Sequence, residues 1–190
     1  NYDGYHFAPN TGGMYNPYSL LNVFANNKFG SYWFETGTPT YLVELIKKSD
    51  FNIEELSNYV ASEDQLNSIH VDSIDPIPVL FQSGYLTIAE YDQEFGLYTL
   101  NYPNEEVKAG FINFLLPFYS QIKEKQTQSI ISKFVMSART GNAKEFMQQL
   151  QSLMAGTPYE LVRELENHYQ NVIYIITKLM GFYVQAEYHT

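Results

Sequence analysis

The sequence predicts a mainly α-helical fold carrying a small antiparallel β-hairpin, and three observations lead there. Four helix starts share one device, a capping residue followed by proline: Asn16-Pro17, Thr38-Pro39, Asp75-Pro76 and Thr157-Pro158. The capping oxygen accepts from an orphan N–H of the first turn, while proline supplies a helical φ and lacks the N–H that would go unpaired. Apolar residues then recur at helical spacing, most clearly at Leu161, Leu165, Tyr169, Val172, Ile176 and Leu179, which fall on one helix face. Between residues 84 and 103 the period drops from 3.6 to 2, with a turn at 92–96 separating two strand-like runs.

Taken in order, these signals place helices over residues 17–27, 39–48, 53–59, 63–70, 76–83, 104–119, 122–139, 143–155 and 158–180. Thr157 with Glu160 forms a capping box, Asn104 precedes Glu105 and Glu106, and Asn142 stands three residues before Glu145. Gly84 ends a short helix, and strands follow at 85–91 and 97–102. Helix, hairpin, helix, with the short helix at 63–70, is the order of a winged-helix-like module, placed at 62–120. Gly181 fits a left-handed helix cap, and the alternation over 182–189 reads as a strand, like Tyr2, Tyr5 and Phe7 at the other end. A terminal strand leaves backbone groups unpaired unless a sheet receives it, so the chain is expected to be a slice of a longer protein.

Composition narrows the class. Of 190 residues, 45% are hydrophobic and 17% charged, which suits a folded chain rather than a disordered one. No apolar run reaches the roughly 18 residues of a membrane span. With no cysteine, disulfides, thiolate zinc sites and cysteine nucleophiles are excluded. No basic stretch precedes an apolar one at residues 1–20 and no Asn-x-Ser/Thr sequon occurs, so a cytoplasmic location is the expectation. The formal charge of −10 is uneven: −7 over residues 1–76, −4 over 77–120 and +1 over 121–190. Together with the polar stretch 120–129, this divides the chain into 1–61, 62–120 and 121–190.

Candidate chemistry is sparse. A recognition helix needs cations for phosphate and polar side chains for base edges. The helix at 76–83 instead reads Ile77, Pro78, Val79, Leu80, Phe81, Gln82, nearly all apolar, and Lys108 is the single cation from 77 to 120. A packing role is the better reading. The 17 Tyr, 13 Phe and 1 Trp could stack nucleobases, but stacking platforms sit beside cationic grooves, and residues 1–41 carry Lys28 alone. His6, His70, His168 and His189 have no metal-ligand spacing. The S-x-x-K match at Ser120–Lys123 lacks its companion motifs. Glu166, on the long helix, and Glu187, in the last strand-like run, are the two carboxylates that could flank a metal in a fuller domain. Neither GxxxxGK[ST] nor GxGxxG occurs, which argues against an autonomous nucleotide hydrolase.

Tyr2-Asp3-Gly4-Tyr5, Tyr15-Asn16-Pro17-Tyr18-Ser19-Leu20-Leu21-Asn22 and Tyr32-Trp33-Phe34-Glu35-Thr36-Gly37-Thr38-Pro39-Thr40 resemble bacterial AAA-ATPase-like proteins that carry a PD-(D/E)XK nuclease-like domain at their C-terminus. Phe81-Gln82-Ser83-Gly84-Tyr85-Leu86-Thr87-Ile88 and Asn101-Tyr102-Pro103-Asn104-Glu105-Glu106-Val107 continue the resemblance. It implies that 1–61 is the end of an ATPase-like unit with its helical lid, 62–120 the winged-helix-like module, and 121–190 a helical lead into a truncated nuclease-like fold. The long helix with Glu166 would then be the first nuclease helix, Glu166 its glutamate, and 182–189 the first strand. ATP and a divalent metal are implied for the parent protein, bound outside these residues.

Three readings compete. One is a regulatory, connecting fragment whose partners are the remaining domains of its parent. Another is a self-contained protein-interaction module that binds a partner or itself, favoured by the acidic, aromatic composition. The third is a nucleic-acid binder acting through Lys108, Lys123, Lys125, Lys133 and Arg139.

Overall fold

The computed structural model describes all residues except 1, 7, 10, 31, 34–39, 50, 69–74, 121, 156–164 and 189–190, and the backbone alone at 124, 165 and 182–188. Helices dominate, joined by one three-stranded antiparallel sheet. The chain divides into two compact units, 1–111 and 112–190.

In the first unit, α1 (Pro17–Asn26) and α2 (Thr40–Lys48) precede a 3₁₀ turn at Ile53–Leu56 and strand β1 (Tyr59–Ser62). Helices α3 (Glu63–Asn67) and α4 (Ile77–Gln82) lead into the hairpin β2 (Thr87–Asp92) and β3 (Leu97–Asn101), and α5 (Glu105–Ser120) leaves it. The sheet runs β1-β3-β2, with Tyr59 opposite Leu100 and Thr87 opposite Asn101. Its core is Ile53, Leu56, Leu66, Ile77, Leu80, Leu86, Leu100, Val107 and Phe111, all buried. Gln82 Nε2 donates to the Leu66 carbonyl at 3.0 Å, tying α4 to α3.

The expected helix over 53–59 is instead the 3₁₀ turn followed by β1. Asn58 at φ 64° breaks the turn, and the β-branched Val60 and small Ala61 that follow suit a pleated strand packed on β3. The helix expected over 122–139 starts later: Glu124–Gln126 is a 3₁₀ turn, and α6 spans Thr127–Arg139.

In the second unit, α6 packs against α7 (Ala143–Ala155) and α8 (Leu165–Tyr188). Its core holds Leu115, Leu116 and Tyr119 from the end of α5, Ile131, Phe134 and Val135 from α6, Leu153, and Val172, Ile175, Ile176 and Leu179 from α8. Of the apolar stripe expected on the long helix, Val172, Ile176 and Leu179 are buried and Tyr169 is half-buried, while Leu161 and the Leu165 side chain lie outside the described residues. Phe134 meets Phe146 edge-on at 5.1 Å.

The caps explain where helices begin. Asn16 Oδ1 accepts from Ser19 N at 2.9 Å, Asn104 Oδ1 from Val107 N at 3.1 Å and Asp75 Oδ1 from Ile77 N at 2.9 Å. Asn142 Oδ1 accepts from Glu145 N at 3.2 Å while its amide donates to the Glu145 carboxylate at 2.8 Å. The capping pairs at Thr38 and Thr157 lie outside the described residues.

The chain's last segment departs most from expectation. Residues 182–188 are not a strand; α8 runs through Gly181 to Tyr188 without a cap. Once nucleated, a helix gains one hydrogen bond per residue added, and an internal glycine costs only about 1 kcal/mol. Gln185, Ala186 and Glu187 are good helix formers, and no proline follows Gly181. No helix among the described residues is long and apolar enough to cross a membrane.

Gly181 takes helical backbone and its missing Cβ faces open space. Gly181→Ala should therefore stabilise the second unit by about 0.5–1 kcal/mol in urea unfolding. A left-handed cap at this position would make the same change destabilising.

Candidate functional site

The stretch before α1 is held in place by backbone rather than by bulk. Tyr5 and Met14 exchange backbone hydrogen bonds, and Asn16 N donates to the Tyr2 carbonyl at 2.8 Å. The His6 N–H donates to Thr87 Oγ1 at 2.7 Å, and that hydroxyl donates back to the His6 carbonyl at 2.9 Å. On the other side, Asn104 Nδ2 donates to the Asp3 carbonyl at 2.9 Å. The opening segment is thus clamped between the start of β2 and the start of α5. Gly4 permits the approach: its φ is +97°, and a Cβ there would stand 1.9 Å from the Pro103 carbonyl oxygen.

Glu106, buried in the first turn of α5, closes this joint. Its Oε1 accepts from the Trp33 backbone N–H at 2.9 Å and from the Ser19 hydroxyl at 3.3 Å. The Trp33 ring lies between Tyr5, at 5.9 Å, and Tyr85, at 6.3 Å in an edge-on arrangement. Gly84, at φ +79°, leaves room for that ring; a Cβ would meet it at 3.3 Å. Burial pushes the Tyr5 phenol up to about 12, with Asn16 opposing and the Glu106 charge adding. Burial likewise raises Tyr85 to about 12. Tyr2 stacks on Phe29 at 6.0 Å, and its hydroxyl bonds to the Gly30 backbone at 3.0 Å.

Against this dense joint, the surface of α1 is bare. Ser19 is its only buried residue, whereas Leu21 and Phe24 are 67% and 69% exposed. Met14, Tyr15, Tyr18 and Phe29 are exposed beside them. Residues 15–27 carry no charge, so this is an uncharged apolar face.

The residues singled out in the sequence are scattered. Glu166 is exposed in the first turn of α8 and accepts from Gln170 Nε2 at 3.3 Å. Glu187 lies on the same helix 21 residues on, roughly 30 Å away at 1.5 Å per residue, so the two cannot share a metal in one copy. Among the described residues, no group of three or more His, Asp or Glu could hold a metal ion. His6 Nδ1 lies 2.9 Å from the Thr11 carbonyl, and His168 is buried against Tyr119 at 5.5 Å. His70 and His189 fall outside the described residues. Lys108 lies over the Tyr102 ring at 5.8 Å, while Lys123, Lys125, Lys133 and Arg139 are exposed between α5 and the end of α6. A groove of about 370 Å³ at the start of α5 is lined by Asp3, Glu105 and Lys108 among others, a mixture of charge without a dominant sign. Helix α4 buries Ile77, Pro78 and Leu80, as a packing element does.

Periodicity could not have found Glu106. It sits about 100° round the helix from Val107, off the apolar arc, where a carboxylate reads as solvated. The one local signal was the proline-asparagine start beside it.

No protein-family profile matches the chain, and no solved structure does. An uncharacterized protein encoded in the vnfD 5′ region of Azotobacter chroococcum mcd 1 is 40% identical over 121 residues. That match takes in 62% of this chain and 23% of the relative, so the chain spans about a quarter of the relative's length.

Trp33 is the only tryptophan, so its fluorescence reports this joint alone. Glu106→Ala should destabilise the first unit by about 2–3 kcal/mol, because the Trp33 N–H and the Ser19 hydroxyl lose a charged acceptor. Urea unfolding followed by Trp33 emission should shift to a lower midpoint. A second expectation concerns alkali. Tyr5 and Tyr85 hold their protons to about 12, above the ordinary 10 of the unfolded chain. Their contribution to stability is complete below pH 10 and is lost as the pH rises towards 12. Unfolding midpoints measured across that window should fall, and the double variant Tyr5→Phe, Tyr85→Phe should flatten the fall.

Proposed function

We propose that these residues form the middle, connecting and regulatory region of a cytoplasmic, ATP-coupled protein with a nuclease-like C-terminal part, and are not catalytically complete alone. One observation carries the reading. The strings that resemble the AAA-ATPase-like family supply one joint: Ser19 and the Trp33 N–H bond to the Glu106 carboxylate, Tyr5, Gly84 and Tyr85 pack on the Trp33 ring, and Gly4 abuts Pro103. Residues 34–39 of those strings lie outside the described part. Such a joint fixes the end of the lid-like stretch to the winged-helix-like part and leaves the chemistry to other segments.

The greater length of the Azotobacter relative supports the same reading, since three quarters of that protein lies beyond the match. In the parent, ATP and a divalent metal would be held by those further parts. Helix α5 gives residues to both compact units and is the element by which a change at the joint would reach the second. Direct reading of DNA is disfavoured: α4 is committed to the core, and the hairpin carries Glu90, Asp92 and Glu94.

The bare face of α1 favours a second reading, a self-contained module that binds another protein. The two readings separate on the encoding reading frame. The first expects a P-loop upstream of residue 1 and an Asp followed by Glu-x-Lys downstream of residue 190; a frame with neither overturns it. It also expects the isolated chain to turn over no ATP after rigorous purification. Turnover that persists through successive columns and tracks the chain would count against the reading.

A further inference from the structure

The two compact units differ sharply in charge. Residues 1–111 hold 4 basic and 15 acidic side chains, net −11, while residues 112–190 hold 7 and 6, net +1. Within the acidic unit, the β2–β3 turn is a preformed tip. Asp92 Oδ1 accepts from Glu94 N at 2.9 Å and from Phe95 N at 3.1 Å, and the Gly96 N–H donates to the Asp92 carbonyl at 2.8 Å. Gly96 closes the turn at φ 65°, and Tyr91 and Tyr98 pair across the strands at 4.7 Å. The tip presents Phe95, 69% exposed, with Glu90, Asp92 and Glu94 beside it. No lysine or arginine lies between residues 77 and 107.

A complement exists on the other unit. Along α6, Lys133, Met136 and Arg139 follow at steps of three and share an arc of about 120°. All three are exposed, Met136 by 58%. An apolar side chain beside a cation is the chemical inverse of a phenyl ring beside carboxylates. Methionine is also the apolar side chain that best adapts to an aromatic ring.

We propose that the hairpin tip of one copy docks on the α6 face of a second copy, Phe95 against Met136 and the hairpin carboxylates opposite Lys133. The two surfaces are different patches, so the contact is heterologous. Its small size makes it a transient association, of micromolar strength or weaker. It stands independently of the parent protein proposed above.

Sedimentation of the 190-residue chain tests it. At about 50 mM salt the wild type should associate as concentration rises, and at about 0.5 M salt it should associate at least tenfold more weakly. Phe95→Ser, Glu94→Lys and Lys133→Glu should each weaken association about tenfold or more. All three sites are exposed, so circular dichroism should stay that of the wild type. Association should return when Glu94→Lys and Lys133→Glu chains are mixed, and in the chain carrying both changes, because each altered patch then meets a complement. A wild type that stays monomeric at low salt overturns the proposal. So does association indifferent to the three substitutions, or a mixture that remains monomeric.

Discussion

Taking a carboxylate out of water is costly unless its oxygens find donors, and the first unit is organised around that requirement. Glu106 enters a buried position at the start of α5 and is met by the Trp33 N–H and the Ser19 hydroxyl. Neither donor belongs to its own helix, so two distant stretches must come to it. Once they do, their neighbours are fixed: Trp33 brings its ring between Tyr5 and Tyr85, and Ser19 brings α1. The close approach of Gly4 to Pro103 seals the same place from the opposite side.

The joint shapes the surface. A helix that touches its unit through a hydroxyl keeps its larger apolar residues outside, and Leu21 and Phe24 are left bare as a result. Helix α4 does the reverse, spending Ile77, Pro78 and Leu80 on the core, and its one polar side chain, Gln82, ties it to Leu66. The first unit therefore spends α4 on packing and displays the hairpin tip at its surface. The hairpin's carboxylates repel phosphate backbones, which removes the electrostatic term that dominates binding to nucleic acid.

How much of this was legible in the sequence follows from the range of each interaction. Caps are local, and Asn16, Asn104 and Asn142 do in the structure what their spacing implies. The hairpin was legible for the same reason, since Asp92 and Gly96 encode its turn. Strand β1 was hidden because four residues give too short a period to read, and its stability comes from β3, some forty residues away. The last segment misled because aromatic alternation suggests a strand. A helix already running from Leu165 simply continued through Gly181. Glu187 therefore stands on a helix, about 21 residues along from Glu166, and not on a strand.

Charge supplies the remaining link between sequence and behaviour. The imbalance between the units comes almost wholly from carboxylates in residues 1–111. Few of these carboxylates are committed to the interior as Glu106 is; most are solvated, where they set the long-range field and not the fold. Such a field repels another acidic face and attracts a cationic one, and it is screened beyond about 10 Å at 0.1 M salt. An association that depends on it must be short-ranged and led by an apolar contact. An exposed phenyl ring at the end of a fixed turn is a group of that kind. The joint built on Glu106 and the surface built on solvated carboxylates thus use one residue type for opposite ends: buried, to gather distant segments; exposed, to decide what may approach.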